Sequence, residues 1–412
     1  MTTDPILLLD RPRLQAASGI VEFPVHHMRG GTSTGLVIWE AFAPKDEALR
    51  EELLKHLMGV PLSGSLAANR QITGLGRGPA TSNKVFFVSL ERANGRQRLV
   101  STLAQLAATH SRIDWSVNCG NMSSALPLWL LDSGLVALAD VDDELEIRNT
   151  NTGVISTGRL LRDERGALVH NEIPGVYGQY PSVDLFLHDP VGSKTGKLLP
   201  TGSPVDVIDG IPVSCVDVAV PMVIIKASDL GKTAHESIDE LESDPAFMTR
   251  LRHVWIQAGM LMQLRRRDGT LMSETDIATS ETIPKVCIVG SATNGGTLST
   301  RYFTPQTGHA SMAVSGGCCL AAACLIKGSV AADVATGLPT VADQTCNVVV
   351  SIENPAGTLD ATVVARRDGK TLKISKVAYR RSAQVLLKGH VPLYRATNAL
   401  SDALLQPTAC QT

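Results

Sequence analysis

A chain of 412 residues is longer than one hydrophobic core ordinarily supports, so two domains are expected. Its 44% hydrophobic and 19% charged residues describe a globular protein and argue against a disordered one. A formal charge of −2 argues against nucleic acid or an anionic membrane as partner, while leaving room for a locally basic cleft.

The N-terminus, MTTDPILLLDRPRLQ, places acids beside a short apolar run and has no basic leader, so it does not read as a signal peptide. Residues 1–20 are expected to form an arm. Strands are expected at Val21–Val25, Leu36–Trp39, Lys84–Ser89 and Arg98–Leu103. Lys45–Met58, with an acidic start and leucines at helical spacing, predicts a surface helix closed by Gly59. Residues 145–215 are rich in Gly, Pro, Asn and Thr, which predicts many short strands and turns and a domain boundary at 203–204. Further on, strands at Ile211–Val220, Met222–Lys226 and Lys285–Val289 flank one charged helix over Glu236–Ala258. An apolar small-residue helix follows over Gly316–Lys327, capped by Gly328.

The order of parts repeats. NCGNMSSALPLWLLDSGLV (118–136) and HASMAVSGGCCLAAACLIKGSV (309–330) are each a polar loop feeding an apolar helix. A helix apolar all round is buried, so each half is expected to wrap its strands around one central helix. The first such helix is expected to start near Ser123, leaving Pro127 in its first turn. Eight cysteines without a CxxC pair suit reduced thiols. No stretch approaches the roughly 18 apolar residues of a membrane span. The expected setting is soluble and cytoplasmic.

Cys119 lies between Asn118 and Gly120 just ahead of a helix N-terminus. Free backbone N–H groups and the helix dipole would stabilise a thiolate there and hold a substrate carboxylate beside it. The competing reading is a small thiol buried in a turn. Lys84 opens a wholly apolar strand, where desolvation would lower its pKa toward that of a useful base. On composition alone it reads as a snorkelling lysine at a strand edge. His309, in the Thr307–Ser311 loop, could donate to a carboxylate or simply satisfy loop backbone. RGGTSTG (29–35) lacks the Lys-Ser/Thr end of a P-loop, and no His, Asp or Glu cluster has metal-ligand spacing.

The sequence resembles the PrpF family, which includes isomerases of methylaconitate, aconitate and methylitaconate and 4-oxalomesaconate tautomerases. The resemblance rests on MRGGTSTG (28–35), ATSNKVFFVS (80–89), DWSVNCGNMSSA (114–125), DPVGSKTGKLLPTG (189–202), IPKVCIVG (283–290) and PQTGHASMAV (305–314), in family order. It implies an α+β, two-domain diaminopimelate-epimerase-like fold, each domain a mixed β-sheet wrapped around a central helix. The first domain would be 21–203, with the C-terminal segment 385–412 also recruited to it, and the second 204–384. The family's catalytic lysine and cysteine fall on Lys84 and Cys119. Its binding loops fall on Arg29, Gly30, Gly31, Thr32 and Ser33, and on Gly308, His309 and Ser311. Substrate contacts are also expected from Asn118, Gly120, Asn121, Met122 and Ser123. The resemblance implies a small unsaturated polycarboxylate as substrate and no metal or organic cofactor, and it leaves a homodimer open. The activity implied is cis-trans or allylic isomerisation of aconitate or 2-methylaconitate, with a 4-oxalomesaconate tautomerase or an amino-acid epimerase as alternatives. Thr34 stands where the family usually has lysine, and Asn83 where serine is common before the catalytic lysine.

Overall fold

The computed structural model describes residues 11–78, 82–93, 95–115, 119–135, 144–266, 268–280, 282–369 and 371–406. The chain forms two compact units. The first runs through Glu172 and takes up Val176–Leu185 and the chain from Arg381; the second holds Ile173–Gly175 and Phe186–Arg380.

In the first unit, Ile20–Gly30 and Ser33–Trp39 form a hairpin. Ser33–Trp39 runs parallel to Lys84–Ala93, which pairs antiparallel with Arg96–Leu106. That strand lies parallel to Leu145–Asn149, and Ile155–Leu160 returns antiparallel. Residues 383–392 pair antiparallel on the free side of Ile20–Gly30. Each parallel pair needs a crossover, and a helix supplies each one. Glu47–Met58 is started by the Asp46 carboxylate, which accepts from the Leu49 N–H at 3.0 Å, and ended by left-handed Gly59 at φ +67°. Its Leu53, Leu54, Leu57 and Met58 are buried, each worth roughly 2 kcal/mol relative to exposure. The second crossover contains Leu126–Asp132, buried over Leu126–Leu130, with Pro127 in its first turn.

The second unit repeats this order. A hairpin of Ile211–Val218 and Val220–Lys226 is followed by the helix Pro245–Leu261 and the parallel strand Lys285–Gly290. Leu298–Thr304, the fully buried helix segment Gly316–Ala323, the parallel strand Cys346–Asn354 and antiparallel Gly357–Asp368 complete it. Cys318 and Cys319 sit inside that helix as core residues, and burial pushes the Cys319 thiol far up. The described cysteines form no disulfide. No described helix is long and apolar enough to cross a membrane.

Four expectations need correction. The units divide at Leu185–Phe186 and not at 203–204. The turn-rich run before 203 is part of the second unit, because the Asp217 carboxylate accepts from Ser193 Oγ at 2.6 Å and from Thr195 N–H at 2.8 Å. The charged helix of that unit is two helices, Ile238–Glu242 and Pro245–Leu261: the residue before a proline prefers extended backbone, and Asp244 at φ −98°, ψ 97° restarts the helix as its cap. The buried helix ends at Ala323, short of Gly328. Within the arm, Arg13–Gln15 pairs with Ile20–Glu22, and Arg13 Nε reaches the Glu22 carboxylate at 2.8 Å.

His27 shows how burial couples the first unit to pH. It is 4% exposed, and desolvation, aided by the Arg77 charge, lowers its pKa from 6.5 to about 4. Between those values the unfolded chain binds the proton and the folded one does not, so acidification through this window removes stability, on the order of 3 kcal/mol in all. His27→Gln is expected to flatten the pH dependence of the urea midpoint between pH 6.5 and 4. An unchanged slope would reject the assignment.

Candidate active site

The site of the first unit is built where its hairpin turn meets the start of the central helix. Gly31 makes the turn at φ +53°, in the left-handed region. Gly30 passes so close to this helix that a Cβ would strike the Asn121 carbonyl and come 3.0 Å from Met122 Cα. Asn121 Nδ2 donates to Thr32 Oγ1 at 3.1 Å, and its Oδ1 is buried without a partner. Cys119 is the residue preceding this helix, and its Sγ lies 4.0 Å from Ser33 Oγ.

The helix after Cys119 is shorter than expected. Gly120–Ser123 is a single turn, followed by a break and then Leu126–Asp132. A one-turn helix has little macrodipole, so any charge stabilisation here comes from the leading N–H groups of Gly120, Asn121 and Met122, which have no intrahelical acceptor. The side chains of Met122 and Ser123 are engaged by the protein. Met122 is fully buried in the core, and Ser123 Oγ donates to the Cys119 carbonyl at 3.0 Å. Asn118 lies outside the described residues.

Lys84 opens its strand directly opposite Gly35 in the parallel register. A Cβ on Gly35 would come 3.0 Å from Lys84 Cβ, so glycine there lets the lysine stem lie flat against the hairpin. The residue is 5% exposed. Burial lowers the ammonium pKa below its ordinary value, and the charge of neighbouring Cys119 acts in the opposite direction. The base of Lys84 is fixed by Asn83, noted above only as a departure from the family pattern, and by Gln71, which the sequence did not single out. Asn83 and Gln71, both fully buried, exchange amide hydrogen bonds at 2.9 and 3.0 Å. Gln71 also donates to the Met58 carbonyl at 2.8 Å, and Asn83 to that of Gly78 at 2.8 Å. Asn83 is therefore a structural clasp, and its difference from the usual serine lies beneath the lysine.

Arg29 is more committed to the protein than the motif suggested. Its Nη1 donates to the carbonyls of Gly31 (2.9 Å) and Ser382 (3.1 Å), and Nε to Gln384 Oε1 at 3.3 Å. The guanidinium lies 4.6 Å from the Tyr180 ring centroid, and Nη2 is buried without a partner. No described carboxylate pairs with it. Thr34 stands directly across the hairpin from Arg29. A lysine there would add a second cation beside Arg29. Arg29→Met removes the donor to two carbonyls and is expected to cost roughly 3 kcal/mol. A urea midpoint unchanged from wild type would contradict that structural share.

In the second unit, the Gly308 N–H donates to Glu242 Oε1 at 2.7 Å, and the His309 N–H to the Tyr302 carbonyl at 2.9 Å. Ser311 N–H donates to His309 Nδ1 at 2.9 Å, which places the proton of the neutral ring on Nε2. Lys285 holds the place of Lys84 in the repeat: it opens the strand parallel to the hairpin, opposite Met222, and burial lowers its pKa. The matching runs NKVFFV and PKVCIV carried that signal in the sequence. Among the described residues no group of three or more His, Cys, Asp or Glu is placed to hold a metal ion.

This geometry agrees with what the chain is similar to. The profile of the PrpF proteins matches residues 20–394. The 4-oxalomesaconate tautomerase of Pseudomonas putida is 33% identical over 321 residues, 77% of this chain and 84% of the relative. The (4E)-oxalomesaconate Delta-isomerase of a Novosphingobium strain is 31% identical over 371 residues, covering 89% and 96%. The crystal structure of a methylitaconate-delta-isomerase superposes with a TM-score of 0.72 at 25% identity, over 90% of this chain and 95% of that one. A buried lysine and a cysteine meeting at one hairpin, within an α+β fold matched along nearly its whole length, place this chain in the PrpF family of isomerases.

Proposed function

We propose that this isomerase moves a proton along the allyl system of a small unsaturated di- or tricarboxylate of the aconitate or 2-methylaconitate type, with Lys84 and Cys119 as the proton-handling pair. One observation carries the reading: buried Lys84 has the Cys119 thiol as its electrostatic neighbour, and Cys119 itself lies against Ser33 of the hairpin.

One member of the pair takes the proton from the carbon α or γ to a substrate carboxylate. The electron pair left behind spreads into a dienolate, whose oxygens accept from the N–H groups of Gly120, Asn121 and Met122. The other member, or the same one, returns a proton elsewhere on the allyl system, so product and substrate are isomers and nothing else is consumed. Rotation about the bond that is single in the intermediate gives a cis-trans product; without rotation the double bond shifts. Arg29 Nη2 and Thr32 are assigned to the substrate carboxylates.

A second reading, 4-oxalomesaconate as substrate, is favoured by the relatives of that name at 31% and 33% identity. An amino-acid epimerase is disfavoured, because the position matching Cys119 in the repeat is Ala313. The test is to incubate the enzyme with aconitate, 2-methylaconitate, methylitaconate and 4-oxalomesaconate and follow each by proton NMR. Isomerisation of at least one is expected. A folded enzyme that converts none of them, or that racemises an amino acid instead, would reject the proposal.

A further inference from the structure

Lys84 heads a strand that is held just before it by a buried polar network. Asn83 extends the ladder one residue further, its carbonyl accepting from the Leu106 N–H at 2.9 Å. Successive side chains of an extended chain leave on opposite faces. The Lys84 amine has Cys119 as its electrostatic neighbour, whereas the Asn83 amide turns to Gln71 and the end of the crossover helix Glu47–Met58. Gln71 Nε2 donates to the Met58 carbonyl (2.8 Å) and to Asn83 Oδ1 (2.9 Å), and its Oε1 accepts from the Gly78 N–H (2.7 Å) and Asn83 Nδ2 (3.0 Å). Asn83 Nδ2 also donates to the Gly78 carbonyl at 2.8 Å, and its Oδ1 accepts from the Arg77 N–H at 3.2 Å. An amide side chain offers two donor hydrogens and two acceptor lone pairs, so both amides are fully used, at 1% and 0% exposure.

The loop around this network is shaped to it. Gln71 has φ +54°, a left-handed conformation that residues of its type rarely adopt, and its N–H donates to Asn69 Oδ1 at 3.2 Å. Asn69 in turn donates to the carbonyls of Gly59 and Ala108 at 2.9 and 2.7 Å. A Cβ on Gly76 would overlap Gln71 Nε2 and Asn83 Oδ1, so glycine there lets the loop close over the two amides. A fully satisfied buried network is rigid, and breaking one bond leaves its partner unpaired in a low dielectric. Movement of the strand head would break several such bonds at once. Serine, common before the catalytic lysine in the family, has a single hydroxyl and could not make the four bonds of Asn83.

We propose that Gln71 and Asn83 are the positioning residues of Lys84, acting through the backbone that presents its amine to Cys119. The inference rests on the role given to Lys84 above, so the position of the amine and the turnover are read separately. Gln71→Met, Asn83→Ala, the double variant and Leu53→Ala, a buried site elsewhere on the crossover helix, are made in the full-length chain. Lys84 is titrated in each by side-chain NMR without substrate, and kcat, KM and the urea midpoint are measured with the acid that the enzyme isomerises. Each single clasp variant is expected to lower kcat about tenfold or more with KM within about twofold. Each should also move the Lys84 titration toward that of the exposed lysines, as a loosened strand head admits water to the amine. The double variant should be no worse than the poorer single one, because the two amides act as a unit. Leu53→Ala should lower the urea midpoint alone. A Lys84 titration unmoved in both single variants would overturn the proposal, and so would a matching loss of kcat in Leu53→Ala. A moved titration with wild-type kcat would uphold the clasp and reject Lys84 as a proton carrier. If Gln71→Met fails to fold, Asn83→Ala decides by the same readings.

Discussion

Lys84→Met is expected to lower kcat/KM by about a thousandfold or more, with little change in the thermal midpoint. General acid–base groups contribute roughly 10²–10⁴ in rate, and Lys84 is one of the two groups assigned to move the proton. Methionine keeps the volume and removes the charge that burial disfavours, so the fold is retained. Lys84→Arg should not rescue, because an arginine stays protonated and cannot act as a base. The pH profile gives a second reading. Because burial lowers the Lys84 pKa, its deprotonation should fall below that of the exposed lysines. Removing the Cys119 charge should move it lower still, since that charge acts to raise it. Lysine side-chain NMR titration of the wild type and Cys119→Ser would check both directions. A wild-type Lys84 titrating with the exposed lysines would contradict the burial argument. So would a Lys84→Met enzyme of near-normal activity.

Gly30→Ala is the second large effect, and it reaches the chemistry without touching a reacting group. The added Cβ would meet the Asn121 carbonyl at an impossible distance and Ala125 Cβ at 3.2 Å. Since the obstacle is backbone on both sides, hairpin and helix must separate by something near 1 Å. Cys119 is carried on that helix and Ser33 on that hairpin, so their 4.0 Å contact opens. Misplacement of that size can cost about 10² in rate, and overpacking typically costs 1–3 kcal/mol in stability. The expected result is a lower urea midpoint together with a hundredfold loss of kcat. A Gly30→Ala enzyme with wild-type kcat would mean that the hairpin does not set the position of Cys119.

The parts of this arrangement that depend on local pattern could be read from the sequence. The apolar run after Lys84, the polar loop around Cys119, the Asp46-capped helix and the repeat of loop and buried helix all have signatures within a few residues. What was missed is non-local. Gln71 and Asn83 meet across a loop, and Arg29 finds Ser382 and Gln384 more than 350 residues away. Nothing near either sequence position announces those pairings. The turn-rich composition of 145–215 suggested a boundary at 203–204, yet Gly, Pro and Thr also build loops that wrap a buried carboxylate, here Asp217. The Asp244–Pro245 step was visible but overridden by the helical spacing around it. Met122 and Ser123 were assigned to substrate by adjacency to Cys119, whereas a helical turn sends successive side chains in different directions. The match of Lys285 to Lys84 needed only a comparison of the two apolar strands, yet its meaning came from their equal place in the parallel registers.

The central claim is that Lys84 and Cys119 together pass a proton between substrate carbons, and hydrogen exchange tests it most directly. The acid that the enzyme isomerises is incubated in deuterium oxide with wild type, Lys84→Met and Cys119→Ser, and deuterium at the allylic carbons is followed by proton NMR. Wild type is expected to place solvent deuterium in the product during turnover, and each variant to lose that incorporation by orders of magnitude. Undiminished incorporation in both variants would contradict the account.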